Sequence, residues 1–175
     1  MAARPDISSE LVLEALPQLL VTGPPPPPHV IPRFFVAVLS WRPPTSSTLQ
    51  TTSSAEIQMS KLMALASLAL ASTAQVRHAR RTQRSLMSNQ PLDALCSPEA
   101  VGSAIALCMD CMKERDRVLK LQALQTLAAL TQVSHPDCLA FFLPGVASTL
   151  VNVIAGDFKH GDAVRGAAVD GLMSF

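Results

Sequence analysis

Four side chains that commonly bind metal lie in two close pairs in the second half of the chain. Cys108 and Cys111 have C-x-x-C spacing, and His135 is followed three residues later by Cys138. Thiolates and imidazoles are the usual ligands of tetrahedral zinc, and a C-x-x-C pair can also exchange between dithiol and disulfide. Cys108, however, belongs to an apolar helical stripe, and free cysteine commonly packs as a small hydrophobic residue. We therefore expect buried thiols with no metal and no cofactor, and we keep a zinc-binding regulator as an alternative hypothesis.

Four arginines are concentrated within eight residues, at Arg77, Arg80, Arg81 and Arg84. Guanidinium groups can bind phosphate or an acidic partner through paired hydrogen bonds, but the same residues can also form the solvated face of a helix. The net charge of the whole chain is only +1, whereas a dedicated nucleic-acid module needs a larger positive excess. We interpret the cluster as a basic surface patch and expect no direct binding of nucleic acid.

Signatures of catalysis are missing from the sequence. It contains no G-x-S-x-G, H-E-x-x-H, G-x-x-x-x-G-K-[ST] or G-x-G-x-x-G motif, and these are common markers of hydrolases, metalloproteases and nucleotide-binding enzymes. The four histidines are scattered, and none is paired with a serine, cysteine or acid in a nucleophilic motif. We expect a protein that is not an enzyme.

The composition is apolar for a freely soluble monomer. Hydrophobic residues make up 49% and charged residues only 15% of the chain, where about 25% charged is usual. The longest late stretch without a charge, Cys138–Gly156, approaches the ~20 residues of a membrane span, but Pro144 and several polar residues interrupt it. Its apolar residues recur every three or four positions, which predicts a helix with one buried face. We expect no membrane span, and membrane anchoring is the weaker alternative.

An export signal is also absent, because the first apolar stretch, Leu11–Val21, contains Glu14 and Pro17 and follows acidic rather than basic residues. The four cysteines are too few for a disulfide framework. We expect a cytoplasmic protein, with the nucleus as a second compartment.

Residues 1–58 differ in composition from residues 59–175. The first segment contains five consecutive prolines, Pro24–Pro28, and a Ser/Thr-rich run, with a short apolar patch between them that ends at Trp41. Proline runs favour polyproline II, and Ser/Thr runs bury too little apolar area to become ordered. We predict a disordered low-complexity leader over residues 1–58 and a helical-repeat region over residues 59–175.

Helical spacing of apolar residues dominates the second segment. Ser97-Pro98-Glu99 is a typical helix start, and a Leu/Ala-rich helix ends before Pro136. Two stripes are predicted to face the core: Val101, Ile105, Cys108 and Met112, and Leu121, Leu124, Leu127 and Leu130. No run alternates with the period of a strand. We predict an all-α fold of tandem antiparallel helix pairs, a HEAT- or armadillo-like α-solenoid. Since nothing near Phe175 signals a helix end, we also expect this solenoid to be truncated within a helix.

The segment FLPGVASTLVNVIAGDFKHG at 142–161, preceded by the leucine-rich 119–132, resembles the Tti-one subunit family of the TTT (Tel-two, Tti-one, Tti-two) cochaperone complex. The resemblance covers about residues 60–175 and does not include the proline-rich segment. The matching positions are Phe142, Leu143, Pro144, Gly145, Leu150, Ile154, Gly156, Asp157, Phe158, Lys159 and Gly161. Glycines bracket the charged end of this segment, so we expect a loop that is either a structural turn or a contact with a partner.

This resemblance implies a non-enzymatic HEAT-repeat scaffold. Its family supports the folding, assembly and stability of PI3K-related kinases of the TOR, ATM, ATR and DNA-PK type, together with Hsp90 and its adaptor complex. The implied partners are therefore Tel-two, Tti-two, these kinases and the Hsp90 machinery. The alternative is another HEAT or armadillo interaction protein, for example a transport adaptor for basic peptides. Such an adaptor would need an acidic or Asn/Trp-lined groove, which the sequence does not indicate.

Overall fold

The computed structural model describes residues 15, 17–20, 22, 30–42, 53–82, 98–134, 136–156 and 162–174. These residues contain no strand, which confirms the predicted all-α class. Seven helices have both ends within them: α1 (Ile31–Ser40), α2 (Ser54–Thr82), α3 (Pro98–Lys113), α4 (Arg117–Val133), α5 (Pro136–Ala140), α6 (Leu143–Gly156) and α7 (Asp162–Ser174).

The helices form three packed pairs that are stacked side by side. The pairs are α1 with α2, α3 with α4, and α6 with α7, and the short α5 contacts α3 and α6. Helices α2, α4 and α7 are packed in one row, and α1, α3 and α6 are packed in a second row. Only residues 114–116 separate α3 from α4, so these two packed helices are antiparallel. This is the two-row stack of helix pairs that the apolar periodicity predicts.

Helix α4 lies at the centre of the stack, because it packs against α2, α3 and α7. Its side chains Leu124, Leu127 and Leu130 are buried, and Leu121 is half-buried. The predicted stripe of α3 is confirmed in full: Val101, Ile105, Cys108 and Met112 are all buried. The Leu/Ala stripes of the sequence therefore do form the core between the two rows.

Side-chain caps fix where two of the core helices begin. Before α2, the Ser53 backbone N–H donates to Glu56 Oε2 at 2.7 Å, and the Glu56 N–H donates to Ser53 Oγ at 3.2 Å. This reciprocal pair is a capping box. Before α4, Asp116 Oδ1 accepts from the N–H groups of Val118 and Leu119 at 2.8 and 3.2 Å. Helix α4 thus begins at Arg117, the last residue of the charged run at 113–117.

Parts of the predicted leader are helical, and for α1 and the start of α2 the expectation of disorder is corrected. Helix α1 lies within residues 1–58, and α2 begins at Ser54. Ile31, Phe35 and Val38 follow one another at spacings of four and three, and all three are buried. The physical reason is that these large side chains bury enough apolar area to order α1, although the surrounding composition is rich in proline and polar residues. The proline run Pro24–Pro28 lies outside the described residues.

The apolar stretch that approaches the length of a membrane span is divided between two helices. Helix α5 ends at Ala140 and α6 begins at Leu143, with Pro144 in its first turn. Proline is tolerated there because the first N–H groups of a helix have no acceptor within the helix. Among the described residues, no helix is both long enough and apolar enough to cross a membrane.

Candidate interaction surfaces

The two thiols of the C-x-x-C pair are buried in the core and are not joined to each other. Cys108 and Cys111 are free cysteines on α3 with none of their surface exposed. Burial raises the pKa of Cys111 to about 11, with the negative charges of Asp110 and Glu114 adding to the effect. Burial also raises the pKa of Cys108, and the neighbouring Cys111 adds to that shift. A thiol with a raised pKa is a poor nucleophile and a poor metal ligand.

The other two predicted ligands do not complete a site in the part of the chain that can be described. His135 and the side chain of Cys138 lie outside the described residues. Within those that are described, no three His, Cys, Asp or Glu side chains are grouped as a metal ion would require.

The family-like segment begins at a corner that is packed onto α3. Phe142 is half-buried, and its ring lies directly over Gly102, where an added Cβ would be 2.6 Å from Cζ. The backbone holds the corner, since Phe142 N–H donates to Leu139 O at 2.9 Å and Phe142 O accepts from Val146 N–H at 3.0 Å. Phe141 contacts Phe142 edge to face at 5.2 Å and is 83% exposed. One phenylalanine therefore seats the corner on the core, and the other is presented to solvent.

The remaining residues of this segment have different surroundings. Leu143 and Pro144 are exposed in the first turn of α6, and Gly145 comes close to Met109 of α3, whose Cε would be 3.5 Å from an added Cβ. Gly156 is the last residue of α6 and has no neighbour within 4 Å of an added Cβ. The predicted loop residues Asp157, Phe158, Lys159 and Gly161 lie outside the described residues.

The predicted basic patch is only partly described. Arg77, Arg80 and Arg81 belong to the last turns of α2, which continues to Thr82, beyond the helix that the Leu/Ala pattern indicates. Their side chains are not among those described, and Arg84 lies outside the described residues. The basic patch therefore stays a prediction.

A groove of about 640 Å³ runs between α1 and α3. Helix α1 contributes Val36, Leu39 and Ser40, and a stripe of α3 from Glu99 to Asp110 forms the opposite wall. Val36 is 52% exposed, and Glu99, Ser103, Ala106 and Asp110 are also exposed. The groove is therefore accessible to solvent along its length. We call it the α1–α3 groove.

A lysine of α2 also lines the α1–α3 groove. Lys61 Nζ donates to Leu39 O at 3.4 Å and lies 5.9 Å from the centroid of the Trp41 ring, within the range of a cation–π contact. Desolvation by burial lowers the pKa of the Lys61 amine, and the positive charge of Arg42 lowers it further. Trp41 Nε1 is buried and has no hydrogen-bond acceptor among the described residues. Lys61 is therefore a half-buried cation in the lining of the groove, and the Trp41 ring lies beside it.

A second groove, of about 450 Å³, lies between α2 and α4 in the other row. Its lining has no charged residue, and it includes Met63 and Leu70 from α2 and three glutamines, Gln122, Gln125 and Gln132, from α4. We call it the α2–α4 groove. Beneath it, buried Thr126 donates to Leu62 O at 3.1 Å across the two helices. This groove suits neither a basic peptide nor an anion.

Sequence reasoning named neither groove. The α1–α3 groove requires α1, which lies within the segment that the composition predicts to be disordered. A signal was available in the spacing of Ile31, Phe35 and Val38, and in the Ser53–Glu56 capping box that opens α2.

Comparison with known proteins gives one result that bears on the whole fold. The family model described as the TTI1 N-terminal TPR domain matches residues 10–175. No curated protein and no solved structure matches significantly. The match includes most of the Pro/Ser/Thr-rich segment, which the resemblance seen in the sequence did not include. It also names the repeat as TPR, another stack of antiparallel helix pairs, rather than HEAT or armadillo.

Proposed function

Because the chain belongs to the TTI1 N-terminal TPR domain family, we propose that it is a non-enzymatic scaffold subunit of the TTT cochaperone complex. In this role it supports the folding, assembly and stability of PI3K-related kinases together with Hsp90. The observation that carries the proposal is the family match over residues 10–175, on a fold that stacks three helix pairs.

The fold has properties that suit a scaffold. Stacked helix pairs present a long surface relative to their core, and their rows leave grooves that side chains of another protein can enter. Large kinases built from helical repeats expose apolar faces while they fold. The two grooves and the exposed Phe141 give this chain apolar surface for such contacts.

The proposed partners are those implied by the family: Tel-two, Tti-two, the PI3K-related kinases, and Hsp90 with its adaptor complex. The proposed location of the complex is the cytoplasm, with a nuclear fraction. The buried thiols with raised pKa values support a structural role of the cysteines rather than a catalytic one.

The proposal is tested by tagging the endogenous protein and identifying what co-purifies by quantitative mass spectrometry. We expect relatives of Tel-two and Tti-two in near-stoichiometric amounts, with PI3K-related kinases and Hsp90 components in smaller amounts. Rapid depletion of the protein should then lower the steady-state level of these kinases, and re-expression should restore it.

Two results would contradict this function. One is a purified protein that lacks the Tel-two and Tti-two relatives, and the other is a depletion that leaves every PI3K-related kinase at its normal level. Recovery of transport receptors with basic cargo peptides would instead favour the adaptor alternative.

A further inference from the structure

We propose that the α1–α3 groove binds a helix of a partner protein that presents a carboxylate to Lys61. The inference rests on the proposed scaffold function only in taking the occupant to be a protein, and it goes further by naming the surface and the chemistry of the contact.

The shape of the groove fits a helix. Glu99, Ser103, Ala106 and Asp110 follow one another at spacings of four, three and four, so they lie on one face of α3. At 1.5 Å per residue this stripe is about 16 Å long, or three turns. Opposite it, Val36, Leu39 and Ser40 share one face of α1. A three-turn helical face opposite a shorter wall, with apolar residues such as Leu39 and Leu107 between polar ones, can receive an amphipathic helix.

The charge that matters most in the groove is that of Lys61. Its side chain is half-buried, and its pKa is lowered mainly because burial removes water from the ammonium group. No carboxylate among the described residues lies within ion-pair distance of it. The cost of desolvating this cation is therefore already part of the folded state, so an incoming carboxylate gains the attraction with little further cost.

Two acids at the ends of the stripe do not reverse this preference. Glu99 and Asp110 are both exposed, and Asp110 already pairs with Lys113 at 2.8 Å. Water and salt screen exposed charges, so they contribute less than a half-buried one. The occupant that fits best is a helix with one Asp or Glu among apolar residues, and basic residues are accommodated only near its ends.

A protein helix is favoured over a small carboxylate ligand. Small ligands are bound in pockets that enclose most of their surface, whereas the walls of this groove are exposed from Val36 on one side to Asp110 on the other. Residues along three turns of α3 can be contacted at once only by an extended partner.

The test uses the full-length protein in its own cells, with Ser103 replaced by the photo-crosslinking residue p-benzoylphenylalanine. Ser103 is exposed, and its hydroxyl bonds only to Glu99 O of its own helix, so the replacement does not remove a contact between helices. The matched control carries the same crosslinker at Gln125, which is exposed in the α2–α4 groove. Crosslinked peptides are sequenced by mass spectrometry.

We expect the Ser103 probe, and not the Gln125 probe, to capture a helical segment with an acid flanked by apolar residues. Lys61→Met keeps the apolar stem and removes the charge, and we expect it to lower the crosslinking yield about tenfold. Lys61→Arg should retain the yield. Equal melting temperatures of the variants exclude a folding defect. Lys61→Glu should lose the crosslink, and replacing the partner's acid with lysine should restore it.

Several outcomes would overturn the inference. They are capture of residues 83–97 of this chain or of a second copy, capture of a basic segment, a yield that does not change in Lys61→Met, or no crosslink at Ser103. These results are separable from a failure of the proposed function. If Tel-two and Tti-two relatives do not co-purify but the Ser103 probe still captures an acid-bearing helix, only the TTT assignment fails.

Discussion

The ring of Phe142 covers Gly102 so closely that a Cβ at position 102 would lie 2.6 Å from Cζ. This contact joins the corner before α6 to the amino-terminal half of α3. The close approach is possible because glycine has no side chain, although glycine inside a helix lowers its stability relative to alanine. The family-like segment 142–161 therefore depends on a residue forty positions earlier in the chain.

We predict that Gly102→Ala lowers the stability of the domain by about 1 kcal/mol. Alanine gains about 0.5–1 kcal/mol of helix propensity, but forcing the Phe142 ring aside costs more, about 1–3 kcal/mol. The matched control is Gly166→Ala on α7, where an added Cβ meets nothing within 4 Å. That variant should be more stable than the parent by about 0.5–1 kcal/mol. Urea denaturation measures both.

A double-mutant cycle measures how far the cost of Gly102→Ala depends on the Phe142 ring. In a Phe142→Leu background, the smaller side chain leaves room at Gly102, so Gly102→Ala should lose its cost and approach the behaviour of Gly166→Ala. If Gly102→Ala stabilises the protein in both backgrounds, the contact between Phe142 and Gly102 does not constrain the corner.

Adjacent phenylalanines of α1 test whether this helix is part of the fold. Phe35 is 1% exposed and Phe34 is 37% exposed. We expect Phe35→Ala to cost about 3–4 kcal/mol, because it leaves a cavity between α1 and its neighbours, and Phe34→Ala to cost less than about 1 kcal/mol. Thermal unfolding by circular dichroism is the measurement. Equal effects of the two substitutions would mean that α1 is not anchored in the core.

The core could be predicted from the sequence because its pattern is local. The stripe from Val101 to Met112 needs only the helical period, and all four of its residues are buried. Composition does not predict α1, because its signal is only three large apolar residues at helical spacing within a long proline- and serine-rich segment. Helix α2 begins at Ser54 because of one reciprocal cap, which a composition argument does not register.

The α1–α3 groove could not be predicted, because it depends on three helices that are distant in sequence. Lys61 lies on α2, yet its ammonium is placed by Leu39 O and the Trp41 ring at the end of α1. Which lysine is half-buried is set by how the pairs stack, and local periodicity carries no information about that. The family-like segment 142–161 could be recognised from the sequence, since its residues are contiguous and can be matched as a string.

Thr126 joins α4 to α2 through a single side-chain bond. Its hydroxyl is fully buried and lies 3.1 Å from Leu62 O on α2 and 2.8 Å from Gln122 O on its own helix. Thr126→Val keeps the shape and removes the donor, so we expect a loss of about 1 kcal/mol in urea denaturation. The control is Thr149→Val, whose hydroxyl bonds only to Gly145 O within α6. A cost at Thr149 as large as at Thr126 would exclude a special contribution of the bond between helices.

Buried thiols make the stability of this domain fall at high pH. The folded-state pKa of Cys111 is raised from its ordinary value of 9.0 to about 11, and that of Cys108 is raised further in the same direction. In the unfolded chain both thiols ionise first, so above about pH 9 the unfolded state has released protons that the folded state still holds. Unfolding then becomes easier as pH rises. The stabilising contribution is complete below pH 9 and is lost as pH rises through 11.

We expect the free energy of unfolding to fall by at least about 1 kcal/mol between pH 8 and pH 10. The variant Cys108→Ala/Cys111→Ala should lack this part of the pH dependence, whatever its stability at pH 8. In a Cys96→Ser/Cys138→Ser background, where only the two α3 thiols remain, alkylation by iodoacetamide at pH 8 should be slow in the folded protein and fast in urea. Rapid labelling without denaturant, or the same pH slope in the alanine variant, would show that these thiols are not held protonated by burial.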